Sequence, residues 1–238
     1  MTGCGAPPVH RSALGQPVGA PLEVELPRPA PPRMPMAGRD CRLEPADPAA
    51  HAKALHAAFA TDTEGRGWTY LPYGPFGGTS DFHAWMEAAC TGNDPQFFTI
   101  FDKDGPAGLA SFLRIAPDLG RIELGHIHMS PRLSGTRAAT EAMYLMARRV
   151  FDELGYRRYE WKCDALNAAS RRAAERLGFT FEGTFRKATH YKGRNRDTAW
   201  FAMLNDDWPA RRAALEAWLD PSNFDADGRQ RARLARRG

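Results

Sequence analysis

Apolar and polar positions follow two periods along this chain, and the places where the period changes mark its elements. Residues 97–101 and 107–115 are dense apolar runs separated by Asp102-Lys103-Asp104-Gly105-Pro106, which predicts two strands joined as a hairpin. A second turn, Pro117-Asp118-Leu119-Gly120, leads into a strand over 121–129, so three consecutive antiparallel strands are expected. From 136 to 154 the period lengthens. Ala139, Met143, Met146, Val150 and Leu154 fall on one side of a long helix that Gly155 ends. A strand follows over 158–163, with Tyr159, Trp161 and Cys163 on one face. Asn167 then caps a helix whose apolar side is Ala169, Ala173 and Leu177, and Gly178 closes it in the left-handed conformation glycine tolerates. Two closing strands, from Phe179 onward and over 198–204, flank a polar turn at 192–197. Upstream, residues 41–44 read as a short strand and 45–59 and 80–90 as helices. The expected fold class is α/β. It has a mixed, mostly antiparallel sheet flanked by helices, with one parallel strand-helix-strand crossover over 121–163.

Prolines at 7, 8, 17, 21, 27, 29, 31, 32 and 35 deny the first segment a helix or a central strand. The domain plan is therefore a disordered arm over 1–35, one α/β domain over 36–208, a C-terminal helix over 209–220 and a flexible tail over 221–238.

Composition narrows the function classes. The 238 residues are 43% hydrophobic and 25% charged, enough for one full core and unlike collagen, a coiled coil or a disordered chain. No apolar run approaches the roughly 18 residues of a membrane-spanning helix, and the first 30 residues hold no signal-peptide block. A cytoplasmic protein without membrane contact is expected. Cysteines 4, 41, 90 and 163 form no CxxC pair, so neither disulfides nor a zinc site is indicated, and a reducing compartment fits. The net charge of +4 resides in the tail: five arginines from Arg229 to Arg237, with no acid among residues 228–238, leave the rest at −1. Weak electrostatic contact of that tail with nucleic acid is the most this charge supports.

Candidate chemistry begins where the 121–129 strand opens into the long helix. A helix start presents unpaired N–H groups and a positive dipole end, and Ser130 to Ala142 adds small residues together with Arg132 and Arg137. An anion belongs there. The aromatic loop carrying Trp68, Tyr70 and Tyr73 either caps the core or lines a substrate pocket.

Asn167-Ala168-Ala169-Ser170, followed by Leu177-Gly178-Phe179 and Phe181-Glu182-Gly183, resembles the N-x-x-S … L-G-F-x-x-E-G signature of the Gcn5-related N-acetyltransferases, in particular the RimJ/RimL-like branch. The Glu123-Leu124-Gly125 strand, Ala139-Thr140-Glu141-Ala142, the 68–75 aromatic segment and the 197–208 strand agree, so the resemblance spans about residues 40–208. It implies a sheet splayed between the 121–129 and 158–163 strands, acetyl-coenzyme A in the opening, and acetyl transfer to a primary amine. Implied cofactor contacts are Met129, Ser130, Ser134, Arg137, Ala138, Ala139, Thr140, Asn167 and Ser170. At the family's Q/R-x-x-G-x-G/A positions stand Ser134, Arg137 and Ala139, so Arg137 replaces a glycine and either reaches a phosphate oxygen or stays solvated.

Amine acetylation needs an oxyanion donor, a proton for the thiolate and a base. The resemblance places the donor among the amides of His128, Met129 and Ser130, and the proton source at Ser170, which alternatively only satisfies its own helix turn. The family tyrosine is replaced by Ala174 and the branch's glutamate by Thr189. Base candidates are His126 and His128, expected on one strand face, and Glu123, expected on the other. The two histidines lack a third ligand at metal spacing, so no metal is expected. Either histidine alternatively packs on a neighbouring helix. The acceptor is a peptide N-terminus or a small amine such as an antibiotic or polyamine. A non-catalytic acyl-CoA-binding or RNA-associated module is the competing class, and a homodimer stays open.

Overall fold

The computed structural model describes residues 9–235. Cys4, Pro7, Pro8, Arg236 and Arg237 lie outside the described residues. In chain order the elements are β1 His10–Arg11, β2 Pro17–Val18, β3 Met36–Ala37, β4 Arg42–Pro45, α1 Pro48–Phe59, α2 Thr79–Ala89, β5 Gln96–Asp102, β6 Gly105–Ala116, β7 Arg121–Met129, α3 Arg137–Arg148, β8 Arg158–Asp164, α4 Ala168–Leu177, β9 Thr180–Tyr191, β10 Arg194–Leu204 and α5 Trp208–Leu219. β1 and β2 pair only with each other. The rest form an eight-stranded sheet in the order β3-β4-β5-β6-β7-β8-β10-β9, antiparallel except for the β7/β8 pair. The expected mixed sheet with one parallel crossover is observed.

Helix starts follow side-chain caps. Asp47 accepts the Ala50 amide at 3.2 Å before Pro48, Thr136 accepts the Ala139 amide at 3.2 Å, and Asn167 accepts the Ser170 amide at 3.0 Å. Gly178 ends α4 at φ 100°, and a Cβ there would stand 2.1 Å from Arg211 Nε, so both backbone sign and space require glycine. The stripe predicted for the long helix is buried throughout, yet α3 itself stops at Arg148. A π turn over Arg149–Glu153 carries the chain on, closed by the Leu154 amide on the Arg149 carbonyl at 3.0 Å.

The sheet is covered unequally. One face buries Phe98, Ile100, Phe112, Leu124, Tyr159, Trp161 and Phe201 under α3, α4 and α5. On the other, α1, α2 and the aromatic loop cover β5, β6 and the His126–His128 end of β7, where Phe97 and Leu109 meet Leu55, Phe59, Phe82 and Met86. The rest of β7, with β8 and β10, lies beyond this cover and carries Glu123, Lys162 and Arg196.

Three expectations change here. The 192–197 turn shrinks to Lys192-Gly193, because β9 and β10 run on through polar residues that pair by backbone alone; β9 is exposed on both faces and shows no period to read. Within the arm expected to be disordered, residues 28–35 form an ordered strap. Arg28 Nε donates to Leu154 O at 3.0 Å, Pro31 O accepts from Gln96 Nε2 at 3.0 Å, and buried Arg149 donates to the Met34 and Pro35 carbonyls at 2.6 and 2.9 Å. The tail expected to be flexible folds back over 221–235: Leu234 is buried, Trp218 Nε1 donates to Gln230 at 2.8 Å, and Arg211 Nη1 donates to Ala235 O at 2.6 Å. Proline blocks helix and ladder formation, but side chains from the body still satisfy the carbonyls of an extended strand. Among the described residues no helix is long and apolar enough to cross a membrane.

Candidate active site

The β7/β8 pairing ends early. Register pairs run from Arg121–Arg158 to Leu124–Trp161, while β7 continues to Met129 and β8 to Asp164, so the two strands part beyond Leu124. A bulge sits at the parting. Against β6, Gly125 faces Ser111 but His128 faces Leu109, which leaves His126 and Ile127 opposite one residue, with His126 at φ 51°. A non-glycine residue in that region costs backbone strain, and such outliers cluster where geometry serves a site.

The extra residue inverts the alternation of side chains. Glu123 and His126, expected on opposite faces, therefore line the same cavity of about 460 Å³ on the uncovered sheet face. Its wall also holds Tyr70, Lys162, Asp164, Asn167, Ser170, Tyr191 and Arg196. Glu123 is locked. Both its oxygens accept from Arg114 Nη1 at 2.8 Å, and Lys162 Nζ adds a bond at 2.6 Å. Lys162 also donates to Glu160 at 2.8 Å and lies 3.8 Å over the Trp200 ring.

The two histidines separate in role. His126 stays on the cavity wall, its Nδ1 bonded to the Tyr73 hydroxyl at 2.9 Å. Burial, aided by Arg114 and Arg196, lowers its pKa to about 4. His128 leaves the cavity. It is 4% exposed and lies with ring centroids 3.7 Å from Trp68 and 4.3 Å from Phe59, where burial takes its pKa to about 4 against the raising effect of the Gly67 backbone and Asp62. His128 thus packs in the core and does not line the cavity.

The aromatic loop divides likewise. Trp68 is a core residue, in correction of its expected substrate contact, because His128 and Phe76 enclose it. Tyr73 packs on Trp85 and holds His126. Tyr70 keeps a place on the cavity wall and bonds Leu166 O at 3.3 Å. Lys192 Nζ donates to Trp68 O at 2.7 Å and ties the β9–β10 turn across the cleft to this loop.

On the opposite side, Ser170 Oγ accepts from Trp161 Nε1 at 2.9 Å, and its hydroxyl also lies within hydrogen-bond reach of the Cys163 thiol. The helix-start loop is ordered by bonds from the Leu133 and Ser134 amides to Ser130 O at 3.0 and 2.9 Å. Among the described residues the amides of Gly135, Arg137 and Ala138 have no protein acceptor. Thr140 Oγ1 accepts from Arg176 Nη1 at 3.1 Å, Ala139 is buried, and Ser134 is exposed. Arg137 does not point at an empty loop: its guanidinium pairs with Asp40 and lies 4.7 Å over Phe224. Among the described residues no three His, Cys, Asp or Glu side chains are grouped to hold a metal. Lys162, Asp164, Tyr191 and Arg196 were missed by the sequence reading, since polar positions on β8, β9 and β10 leave no trace in hydrophobic periodicity.

The splayed sheet, the bulge beside it and the loop of open amides define an acyl-transfer fold, and sequence comparison agrees. Residues 41–180 match the acetyltransferase (GNAT) domain family, and the chain belongs to it. A GCN5-related N-acetyltransferase from Brucella melitensis is similar over 90% of this chain and 97% of its own, at 46% identity and TM-score 0.87. A GNAT-family acetyltransferase from Chromobacterium violaceum ATCC 12472 follows, with 38% identity, TM-score 0.75 and coverage of 86% and 100%. The Salmonella typhimurium acetyl transferase that modifies the N-terminal serine of ribosomal protein L7/L12 shares the fold, at 20% identity and TM-score 0.59 over 71% and 98%. No curated protein matches the chain in sequence.

Proposed function

We propose that this acetyltransferase takes its acetyl group from acetyl-CoA and passes it directly to a primary amine in the cavity, with a protein or peptide N-terminus as the leading acceptor class. One observation carries the reading: beyond Leu124 and Trp161 the strands part, and a bulge with a left-handed residue sits at the opening. When bound, acetyl-CoA supplies an activated carbonyl. The chain's residues fit it. The amides of Gly135, Arg137 and Ala138 suit a pyrophosphate at the start of α3, and the small side chains of Ala138 and Ala139 leave the backbone approachable.

The oxyanion donor can be narrowed. Ser130 N already donates to Ala107 O at 2.9 Å, and in an antiparallel ladder the residue two back faces the same neighbour, so His128 N also points at β6. Met129 N, between them, faces the opening. It is the donor for charge developing on the carbonyl oxygen. Ser170, whose hydroxyl can turn from the Cys163 thiol to the departing sulfur, serves as the proton source.

Proton removal from the amine follows the acceptor. His126, neutral above about pH 4, is an acceptor of hydrogen bonds that positions the amine or a water and does not titrate near neutrality. kcat/KM should therefore climb with pH toward the amine's own pKa, without a break between pH 6 and 7.5. His126→Gln should lower kcat about tenfold or more and leave the profile in place. The likeness to an enzyme that modifies a protein N-terminus supports a peptide acceptor. Initial rates over both substrates test direct transfer: intersecting reciprocal lines are expected, and parallel lines with an acetylated enzyme would refute it.

A further inference from the structure

The acceptor side of the cleft has more positive than negative side chains, and one of them is left over. Arg114, Arg121, Lys162 and Arg196 line it against Glu123 and Asp164. Both carboxylates are engaged. Glu123 holds Arg114 and Lys162, and Asp164 accepts from the Tyr191 hydroxyl and the Leu166 amide, each at 2.8 Å. Arg196, half-buried on β10, has no carboxylate partner among the described residues, and its Nε is buried without an acceptor. A guanidinium on a cavity wall with no carboxylate partner keeps its charge and its outward N–H groups for an anion that enters the cavity.

The acceptor's own charge points the same way. A primary amine arrives mostly as an ammonium ion, which a cleft with surplus positive charge repels. An acid on the same molecule removes that repulsion and pairs with the Arg196 guanidinium. We propose that the acceptor is an acidic amine, carrying a carboxylate or phosphate near its primary amine, and that Arg196 holds the acid group while the amine faces the β7/β8 opening. This rests on the acetyltransferase reading above and narrows it against polyamines and polycationic antibiotics.

Matched acceptors test it: a free amino acid or acidic peptide against its carboxamide, and a phosphorylated amine against the dephosphorylated one, with the two pairs separating carboxylate from phosphate. In the native protein the acid-bearing member of at least one pair should have a kcat/KM about tenfold or more above its neutral counterpart. Arg196→Gln should erase that preference by raising KM for the acidic acceptor about 10- to 100-fold, with the neutral one changed about twofold or less. Arg196→Lys should restore part of it, since charge is kept and the planar fork is lost. Arg194→Gln, which removes a charge from an exposed position outside the cavity, should keep the preference. Preference of the native protein for neutral amines or polyamines, or equal weakening of both partners by Arg196→Gln, would overturn this inference and leave acetyl transfer standing. Failure to release coenzyme A with any amine would overturn both.

Discussion

His128 gives a stability prediction that depends on its place against Trp68 and on nothing catalytic. At pH 7.5 it is neutral in both folded and unfolded chains and contributes no pH dependence. As the pH falls through the ordinary value of 6.5 the unfolded chain takes up a proton that the folded chain refuses until about pH 4, so stability is lost across that window. The displacement from 6.5 to about 4 corresponds to about 3 kcal/mol in full, of which about 2 kcal/mol is already lost at pH 5. Urea unfolding of the native protein and of His128→Phe, each at pH 7.5 and 5.0, isolates the effect. Phenylalanine keeps an aromatic ring between Trp68 and Phe59 but cannot titrate, and its tighter fit beside Gly67 costs the same at both pH values. The native protein should lose about 2 kcal/mol more than the variant between the two conditions. Equal losses would show that His128 protonates freely in the folded state and is not buried as described.

Lys162→Met should lower Tm by about 6–12 °C, because about 3 kcal/mol is lost when buried Glu123 and Glu160 each keep only one cation, Arg114 or Arg158. For Glu160, burial raises the pKa but Arg158 and Lys162 outweigh it and hold it low; the stability this gives is present above the usual carboxylate range and fades as pH falls through the folded value, and the variant should show a shallower acid loss. Asp40→Asn frees Arg137 from its ion pair and should tighten acetyl-CoA binding about threefold or more, most at low salt, measured by calorimetry. Deleting residues 221–238 should lower Tm on the order of 10 °C, since Leu234 leaves the core and Arg211 and Trp218 lose their partners.

Much of the fold is legible in the sequence because burial imposes its period directly. The stripe from Ala139 to Leu154 and the alternation Tyr159, Trp161, Cys163 both mark faces that α3, α4 and the sheet bury together. Where backbone pairing alone carries an element, as in β9, no apolar period exists to read. The strap at 28–35 and the folded tail were hidden for a related reason: their order depends on Gln96, Arg149 and Arg211 reaching from distant elements, which spacing within a segment does not reveal. The cleft was half legible. Its strands and loops could be placed, but a single extra residue at His126 decides that Glu123 shares a wall with it and that His128 turns to the core. A strict alternation argument fails at a bulge, and the unpaired Arg196 lay in what read as a polar turn.

The central claim, direct acetylation of an amine in this cleft, is tested most directly by mass spectrometry of a reaction of the purified protein with acetyl-CoA and an amine panel. The account predicts acetylated amine and free coenzyme A in equal amounts, with negligible coenzyme A when the amine is left out. Coenzyme A released without an acetylated amine, or no release across the panel, would contradict it.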